Sequence, residues 1–310
     1  MKILVSGGAG YIGSEVLSLA KQRGHEVHGF DSFNETLYPS DVKKRRASLL
    51  REQGIEIENR DPLKDSGVKG IPNCDVFINE MAIPGLVPSW SQISNYMESN
   101  VTAFGRVLNS LAALDTKPFI VHASTSSVYG EKIGGMETPL EPISPYGVSK
   151  LAAEKLLQAY SRQFGFEYSI LRYFSVYGKE QRPDMAYSKF IRAALRGEEI
   201  TLYGDGSQKR TNTHVSDVAM ATVISAEKRI NGLICDVSGD ETVELNEALD
   251  AIEKFSGKKI RVRRENGSAG DQRVSEGNNS VAKEHLGWAP MVSFIDGISE
   301  QIEIERRHLV

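Results

Sequence analysis

The chain has little cysteine: only Cys74 and Cys235, too few and too far apart for a disulfide framework or a thiolate metal site. That scarcity suits a reducing, cytoplasmic compartment, and no metal is expected. No apolar run approaches the ~20 residues that a membrane span needs. No leader is evident either, because Met1-Lys2-Ile3-Leu4-Val5 passes within a few residues into a glycine loop and reads as a strand. Nor is there a surplus of positive charge: 37 Lys+Arg against 41 Asp+Glu leave a formal charge of −4. This excludes the basic footprint of a nucleic-acid or anionic-membrane binder, so an anionic ligand must be held by a few local cations. Internal repeats and low-complexity tracts are missing. What remains is an ordinary globular composition, and 310 residues leave room for two domains or for one large domain with an appended lobe.

The chain opens as a β-α-β unit. Ile3-Leu4-Val5 is a short buried-type strand, followed by Ser6-Gly7-Gly8-Ala9-Gly10-Tyr11-Ile12-Gly13 and a helical pattern through Ile12, Val16, Leu17 and Ala20. Gly24 stops that helix, and a second strand ends at Asp31. Gly7 allows the tight turn, Gly10 admits a pyrophosphate close to the backbone, and Gly13 lets helix and strand pack closely. The free N–H groups of the helix N-terminus favour the diphosphate, and Asp31 is placed for the adenosine ribose hydroxyls. A carboxylate there repels a 2′-phosphate, so NAD is preferred to NADP. No Gly-Lys-Ser/Thr follows, which excludes a Walker-type loop.

Further strands are read at Ile55-Glu56-Ile57, Val76-Phe77-Ile78, 119–123 and 168–171, with a long helix over 93–114 whose apolar stripe is Val101, Phe104, Val107, Leu108 and Leu111. The block Lys43-Lys44-Arg45-Arg46 reads as a solvated helix face. The alternation predicts a doubly wound parallel α/β sheet, a Rossmann fold, with ligands beyond the carboxyl ends of its strands, where Gly7, Asp31, Asp61, Thr125 and Tyr173 fall. After about residue 175 the rhythm breaks. Residues 1–175 are expected to form the dinucleotide-binding domain, with the strand near 232–237 returning to it, and 176–310 a smaller substrate-binding lobe that completes a cleft.

Ser144-Pro145-Tyr146-Gly147-Val148-Ser149-Lys150 opens another amphipathic helix. Tyr146 and Lys150 share one helical face, roughly 5–6 Å apart at Cβ, and an ammonium beside a phenol favours the phenolate.

Together these segments resemble one family. Gly-Gly-Ala-Gly-Tyr-Ile-Gly at 7–13, Ser-Thr-Ser-Ser-Val-Tyr-Gly at 124–130, Tyr146-x-x-x-Lys150, Arg172-Tyr173-Phe174-Ser175-Val176-Tyr177-Gly178, Tyr203-Gly204-Asp205-Gly206 and Leu286-Gly287-Trp288-x-Pro290 occur in order along almost the whole chain. The chain is similar to extended short-chain dehydrogenases/reductases of the NAD-dependent epimerase/dehydratase group, and within it to UDP-glucose and UDP-glucuronate 4-epimerases. The resemblance implies Tyr146 as catalytic base, Lys150 as its cationic partner on the nicotinamide ribose, and Thr125 as hydrogen-bond partner of the reacting sugar hydroxyl. It implies a cofactor shell of Gly7, Gly10, Tyr11, Ile12, Gly13, Asp31, Asp61, Pro62, Ala82, Tyr146, Lys150 and Tyr173. For the substrate it implies Thr125, Ser126, Tyr146 and Ser175, with Tyr203 under a nucleobase (uracil by family habit) and Arg210, then Arg273, on the diphosphate. It also implies a homodimer through a four-helix bundle of the helices from Ile93 and Tyr146, which their apolar stripes permit.

Departures narrow the chemistry. Ser127 stands where relatives that eliminate water or decarboxylate carry Glu, and a serine is no acid/base near neutral pH. Ser175 stands where relatives often have Asn, Asn212-Thr213 replaces a common Asp-Phe, and Asn79-Glu80-Met81 replaces His-Leu-Ala, with Glu80 reading as a helix-facing or solvated carboxylate. The expected function is an NAD-dependent nucleotide-sugar 4-epimerase acting on a UDP-hexose or UDP-hexuronate. The alternatives are a nucleotide-sugar dehydratase or decarboxylase, a reductase, an epimerase at another carbon, and, from a different class, a silent NAD-binding sensor.

Overall fold

A computed structural model describes residues 1–64, 69–265 and 273–308. In chain order its first half contains β1 (Lys2–Ser6), α1 (Tyr11–Gln22), β2 (Glu26–Asp31), α2 (Ser40–Glu52), β3 (Ile57–Asn59), β4 (Val76–Asn79), α3 (Leu86–Ser91), α4 (Ile93–Met97), α5 (Ala103–Ala112), β5 (Phe119–Thr125), α6 (Pro145–Phe164) and β6 (Tyr168–Tyr173). The second half adds β7 (Val176–Tyr177), α7 (Ala186–Arg196), β8 (Glu199–Tyr203), β9 (Lys209–Thr211), β10 (Thr213–His214), α8 (Val215–Lys228), β11 (Leu233–Val237), β12 (Thr242–Glu244), α9 (Leu245–Ser256), β13 (Arg261–Glu265), β14 (Val274–Ser275) and α10 (Phe294–His308).

The main sheet is wholly parallel, in the order β11-β6-β5-β4-β1-β2-β3. This is the doubly wound arrangement, and the order reverses between β1 and β4, opening a crevice at their carboxyl ends. The central strands are continuous apolar runs because helices cover both of their faces. Val16 and Leu17 of α1, Val218 and Val223 of α8, and Trp288 fill one face. Phe104, Val107, Leu108 and Leu111 of α5, with Ala153 and Leu157 of α6, fill the other. The apolar stripe on α5 is therefore consumed within the subunit, and an association surface has to be sought elsewhere.

The helix expected over 93–114 is interrupted by a widened π-type turn at Glu98–Thr102. That turn carries the buried Asn100, whose side chain accepts from Ile83 N (2.7 Å) and donates to Ile83 O (3.0 Å) and Ser149 Oγ (2.9 Å). Such bulges arise where a buried polar side chain must be aimed off the regular register.

Two of the four residues in the basic block are not solvated. Lys43 and Arg46 are 7% and 3% exposed, because i,i+3 spacing on α2 turns both toward the protein. Lys43 Nζ donates to Asn34 O (2.9 Å), and Arg46 Nη2 to Glu180 O (2.7 Å). Lys44 and Arg45 face outward.

A second core, with Phe190, Ile191, Leu202, Ile252, Ile298 and Ile302, joins α7, α9, α10 and β8. In this half β8 pairs with β13, and β9 with β12 and β14. The intervening α8 and β11 return to the main sheet, where Trp288 Nε1 donates to Asp217 O (3.0 Å) at the start of α8. Among the described residues no helix is long and apolar enough to cross a membrane.

Candidate active site

The crevice at the carboxyl ends of β1, β2, β4 and β5 is a single deep cavity. Its floor is the glycine loop. A Cβ on Gly13 would lie 2.3 Å from Gly7 O and one on Gly10 2.8 Å from the same oxygen, so only hydrogen side chains allow this turn. Gly10 caps α1 with backbone alone, and no acidic residue occupies the first turn, which leaves a helix N-terminus suited to an anion. Gly7, Gly10, Tyr11, Ile12, Gly13, Asp31, Ala82, Tyr146, Lys150 and Tyr173 all line this cavity, with Phe30, Tyr38, Lys43, Glu80 and Arg182. Asp61 and Pro62 line an adjoining hollow that shares Ser32, Asn34, Met81, Ala82 and Ile83 with it. A glycine cradle, a free helix end and a buried acid at the tip of β2 fit a dinucleotide. Asp31 accepts from Phe33 N (2.7 Å) and has Lys43 Nζ at 3.6 Å.

At the opposite end stands the tyrosine. Ser144 caps α6, accepting from Gly147 N (3.1 Å), and Pro145 presets the first turn, so Tyr146 leaves the helix at its start and Lys150 one turn on. Burial pushes the Tyr146 pKa up, and the Thr125 hydroxyl at the end of β5 works against that by favouring the ionised form. Lys150 Nζ donates to Ala123 O (2.5 Å). Burial pulls the lysine down to about 8, against the pull of Glu80 and Glu154. The cation that lowers the Tyr146 pKa is Arg182, held by Asp184 through Nε–Oδ1 (3.0 Å) and Nη2–Oδ2 (2.8 Å). Nothing in the local sequence marked Arg182, which lies in an irregular segment far along the chain; only an unexplained arginine amid Gly and Pro hinted at it.

Glu80 also departs from its reading as a solvated carboxylate. It is half-buried in the cavity wall, where Tyr173 OH donates to it (2.7 Å), and burial pushes its pKa up to about 7. Glu80 follows the last residue of β4 and lines the crevice, while that last residue, Asn79, is committed to Ser6 Oγ (2.8 Å) and His122 Nδ1 (2.9 Å).

Ser126 and Ser127 are buried in the turn after β5, with Thr125 Oγ1 donating to Ser127 Oγ (3.2 Å). A second cavity in the lobe brings Ser175 and Arg210 together with Gln181, Tyr187, Gln208 and Asn212. Tyr203 and Arg273 are both exposed and do not line it. The Arg273 carbonyl accepts from Arg210 Nη1 (3.2 Å), so Arg273 shapes the lobe through its backbone.

Residues 3–234 match the family described as NAD-dependent epimerase/dehydratase. The chain belongs to that family. Among its members the chain is 36% identical over 307 residues to the uncharacterized UDP-glucose epimerase YtcB of Bacillus subtilis (strain 168), covering 97% of each protein. It is 29% identical to the UDP-glucuronate 4-epimerase of Thermodesulfobacterium geofontis (strain OPF15), covering 99% of this chain and 96% of that one. Among solved structures, the UDP-glucuronic acid 4-epimerase of Bacillus cereus in complex with UDP-glucuronic acid and NAD superposes with a TM-score of 0.93 at 33% identity, over 99% of this chain and 100% of that one.

Proposed function

We propose that the protein is an NAD-dependent nucleotide-sugar 4-epimerase acting on a UDP-sugar, through transient oxidation to a 4-keto sugar and re-reduction. The observation that carries it is the Tyr146 phenol, followed one turn on by Lys150, at the end of a dinucleotide-shaped cavity with serine in place of an acid at 127. When bound, NAD supplies the acceptor and donor of the sugar's C4 hydride and a positive ring charge that draws the phenol pKa down. Tyr146 takes the proton of the C4 hydroxyl and gives it back. Thr125 orients that hydroxyl, and Lys150, steadied by the Ala123 carbonyl, holds the nicotinamide ribose. The glycine loop takes the diphosphate, and Asp31 the adenosine ribose. Arg210 and Ser175 hold the substrate diphosphate in the lobe cavity with Arg273 as the second cation for it, Ser126 lies near the sugar, and Tyr203 closes the nucleobase end from the rim. Residues 176–310, apart from α8, β11 and the segment around Trp288, form this substrate lobe.

Proton NMR of the pure protein with UDP-glucose, UDP-glucuronate and their N-acetyl relatives tests the reading. Interconversion of C4 epimers without net NADH is expected. Deuterium entering at C5, or loss of water or CO₂, would replace it with a dehydratase or decarboxylase.

Arg182 favours a hexuronate among the sugars, since a cation beside Tyr146 can receive a 6-carboxylate. Arg182→Gln is expected to lower kcat/KM for UDP-glucuronate by ~30-fold, the worth of a charge-assisted hydrogen bond, and for UDP-glucose by less than about threefold. Equal losses on both substrates would move Arg182 to the diphosphate or to the phenol alone.

We further infer a homodimer formed by the helices beside α6. Its support is an exposed apolar set of Val87 and Trp90 on α3, Ile93 and Met97 on α4, and Val148 on α6. Trp90→Glu should convert a dimer to a monomer in sedimentation velocity, and a wild type already monomeric at micromolar concentration would reject the interface. The free Cys74 and Cys235 support a cytoplasmic setting, which cell fractionation would check.

A further inference from the structure

Glu80 stands in a place where a carboxylate is costly. It directly follows β4 in the middle of the sheet, and its backbone is pressed against the phosphate loop: a Cβ on Gly7 would lie 2.9 Å from Glu80 O. Its side chain lines the same cavity as Tyr146 and Lys150. Tyr173 OH of β6 donates to it (2.7 Å) and is shared with Thr222 Oγ1 of α8 (2.7 Å). The titratable groups that face it are therefore Tyr173 from β6 and Lys150 and Tyr146 from α6. Of these only Lys150 is a cation, and Glu80 is the first of the two acids that hold its charge, the second being Glu154.

We infer that Glu80 is the counter-charge of this cavity, a carboxylate that, beside Lys150, makes the site take the oxidised, positively charged form of a nicotinamide dinucleotide in preference to the reduced, neutral form. This rests on the reading of the cavity as the NAD site. With Glu80 neutral, Lys150 keeps only Glu154, itself gripped by Arg172, while Arg182 is already paired with Asp184, so the ammonium opposes a second charge of the same sign. With Glu80 ionised, Lys150 is balanced and the added charge meets an attractive field. A 4-epimerase gains from that bias, because every turnover begins from oxidised cofactor and a keto sugar released early would leave reduced cofactor behind. Burial holds the carboxyl at about 7 in the unliganded chain, so the bias itself varies with pH, growing as pH rises through that range.

The test is the ratio of NADH to NAD⁺ dissociation constants, read by NADH fluorescence and NAD⁺ competition on protein freed of cofactor. At about pH 7.5 Glu80→Gln, which keeps an acceptor for Tyr173, should bind NAD⁺ relative to NADH ~10-fold less well than wild type, while Glu80→Asp stays close to wild type. Near pH 5.5, where the carboxyl is protonated, wild type and Glu80→Gln should converge. The wild type alone carries the same test: its ratio should fall ~10-fold between the two pH values. A wild-type ratio that is flat with pH, or a Glu80→Gln ratio within about twofold of wild type at both, overturns the inference and leaves the cofactor reading intact. A wild type that binds neither form overturns both.

Discussion

Tyr146→Phe is expected to lower kcat for C4 epimerisation by ~10³-fold, the middle of the range for a positioned general base, with little change in fold stability or in NAD binding. The substitution removes one oxygen and keeps the ring. The edge contact of that ring with Tyr96, at 6.1 Å between centroids, is preserved, and Tyr96 itself stays tied to Pro84 O (2.8 Å). What disappears is the atom that takes the sugar proton and that Thr125 touches. The remaining hydroxyls near it belong to Thr125, Ser126 and Ser127, none of which ionises near neutral pH. The measurement is the NMR epimerisation rate beside thermal unfolding and bound-cofactor content. A rate within tenfold of wild type would remove Tyr146 from the chemistry and revive the sensor reading. Because the phenol must be ionised to take the sugar proton, kcat should climb with pH until the phenol of the cofactor-bound enzyme is ionised. The residual rate of the phenylalanine variant should not follow that climb.

The second large effect is on stability. Arg172→Leu is expected to cost about 3–5 kcal/mol, because it strands a carboxylate that has no access to water. Glu154 is fully buried on α6, and Arg172 on β6 grips it through Nε–Oε1 (3.0 Å) and Nη2–Oε2 (2.8 Å). The network extends further: Arg172 Nη1 donates to Tyr129 OH (2.9 Å), Tyr129 OH to Asp236 Oδ1 (2.6 Å), and Ser124 Oγ to Glu154. Asn278 N closes it on Asp236 Oδ2 (3.2 Å), so one chain of polar contacts ties β5, β6, β11 and the segment after β14. Burial lifts the Asp236 carboxyl to about 6, which marks how little solvent it meets. Denaturant unfolding of Arg172→Leu and of the double variant Arg172→Leu/Glu154→Leu separates the causes. The double variant should recover a large part of the loss, since replacing both charges removes the unpaired ion. A single variant within about 1 kcal/mol of wild type would show that Glu154 finds water or a proton at no cost.

The two networks meet at the carboxyl end of β5. Ser124 serves the structural pair, while Thr125, the next residue on the opposite side of the strand, serves the catalytic phenol. Rigid packing of one therefore positions the other, and the catalytic hydroxyl is carried on a strand that is buried along its whole length.

Much of this was legible from residues alone, and for a local reason. The strand, the glycines at 7, 10 and 13, the helix and Asp31 lie within one β-α-β unit, so their spacing already states their geometry. Tyr146 and Lys150 are related by a single helical turn, and the alternation of apolar runs dictates a parallel sheet whose carboxyl edge gathers Gly7, Asp31, Thr125 and Tyr173. The place of the crevice, at the carboxyl edge of that sheet, follows from those elements. What only the tertiary structure decided depends on which distant surfaces come together. Lys43 and Arg46 turned inward because β2, Asn34 and Glu180 close over α2. The stripe on α5 went to the subunit's own core, and the helix before it was widened by a buried asparagine reaching Ile83 and Ser149. Arg182 arrived beside Tyr146 from an irregular segment in which no period could announce it. Glu80 became a cavity carboxylate because Tyr173, nearly a hundred residues later, offers it a hydroxyl. Periodicity reports a residue's neighbours within a few turns or strand positions; burial, charge and partner are set by contacts between segments that sequence spacing leaves unrelated.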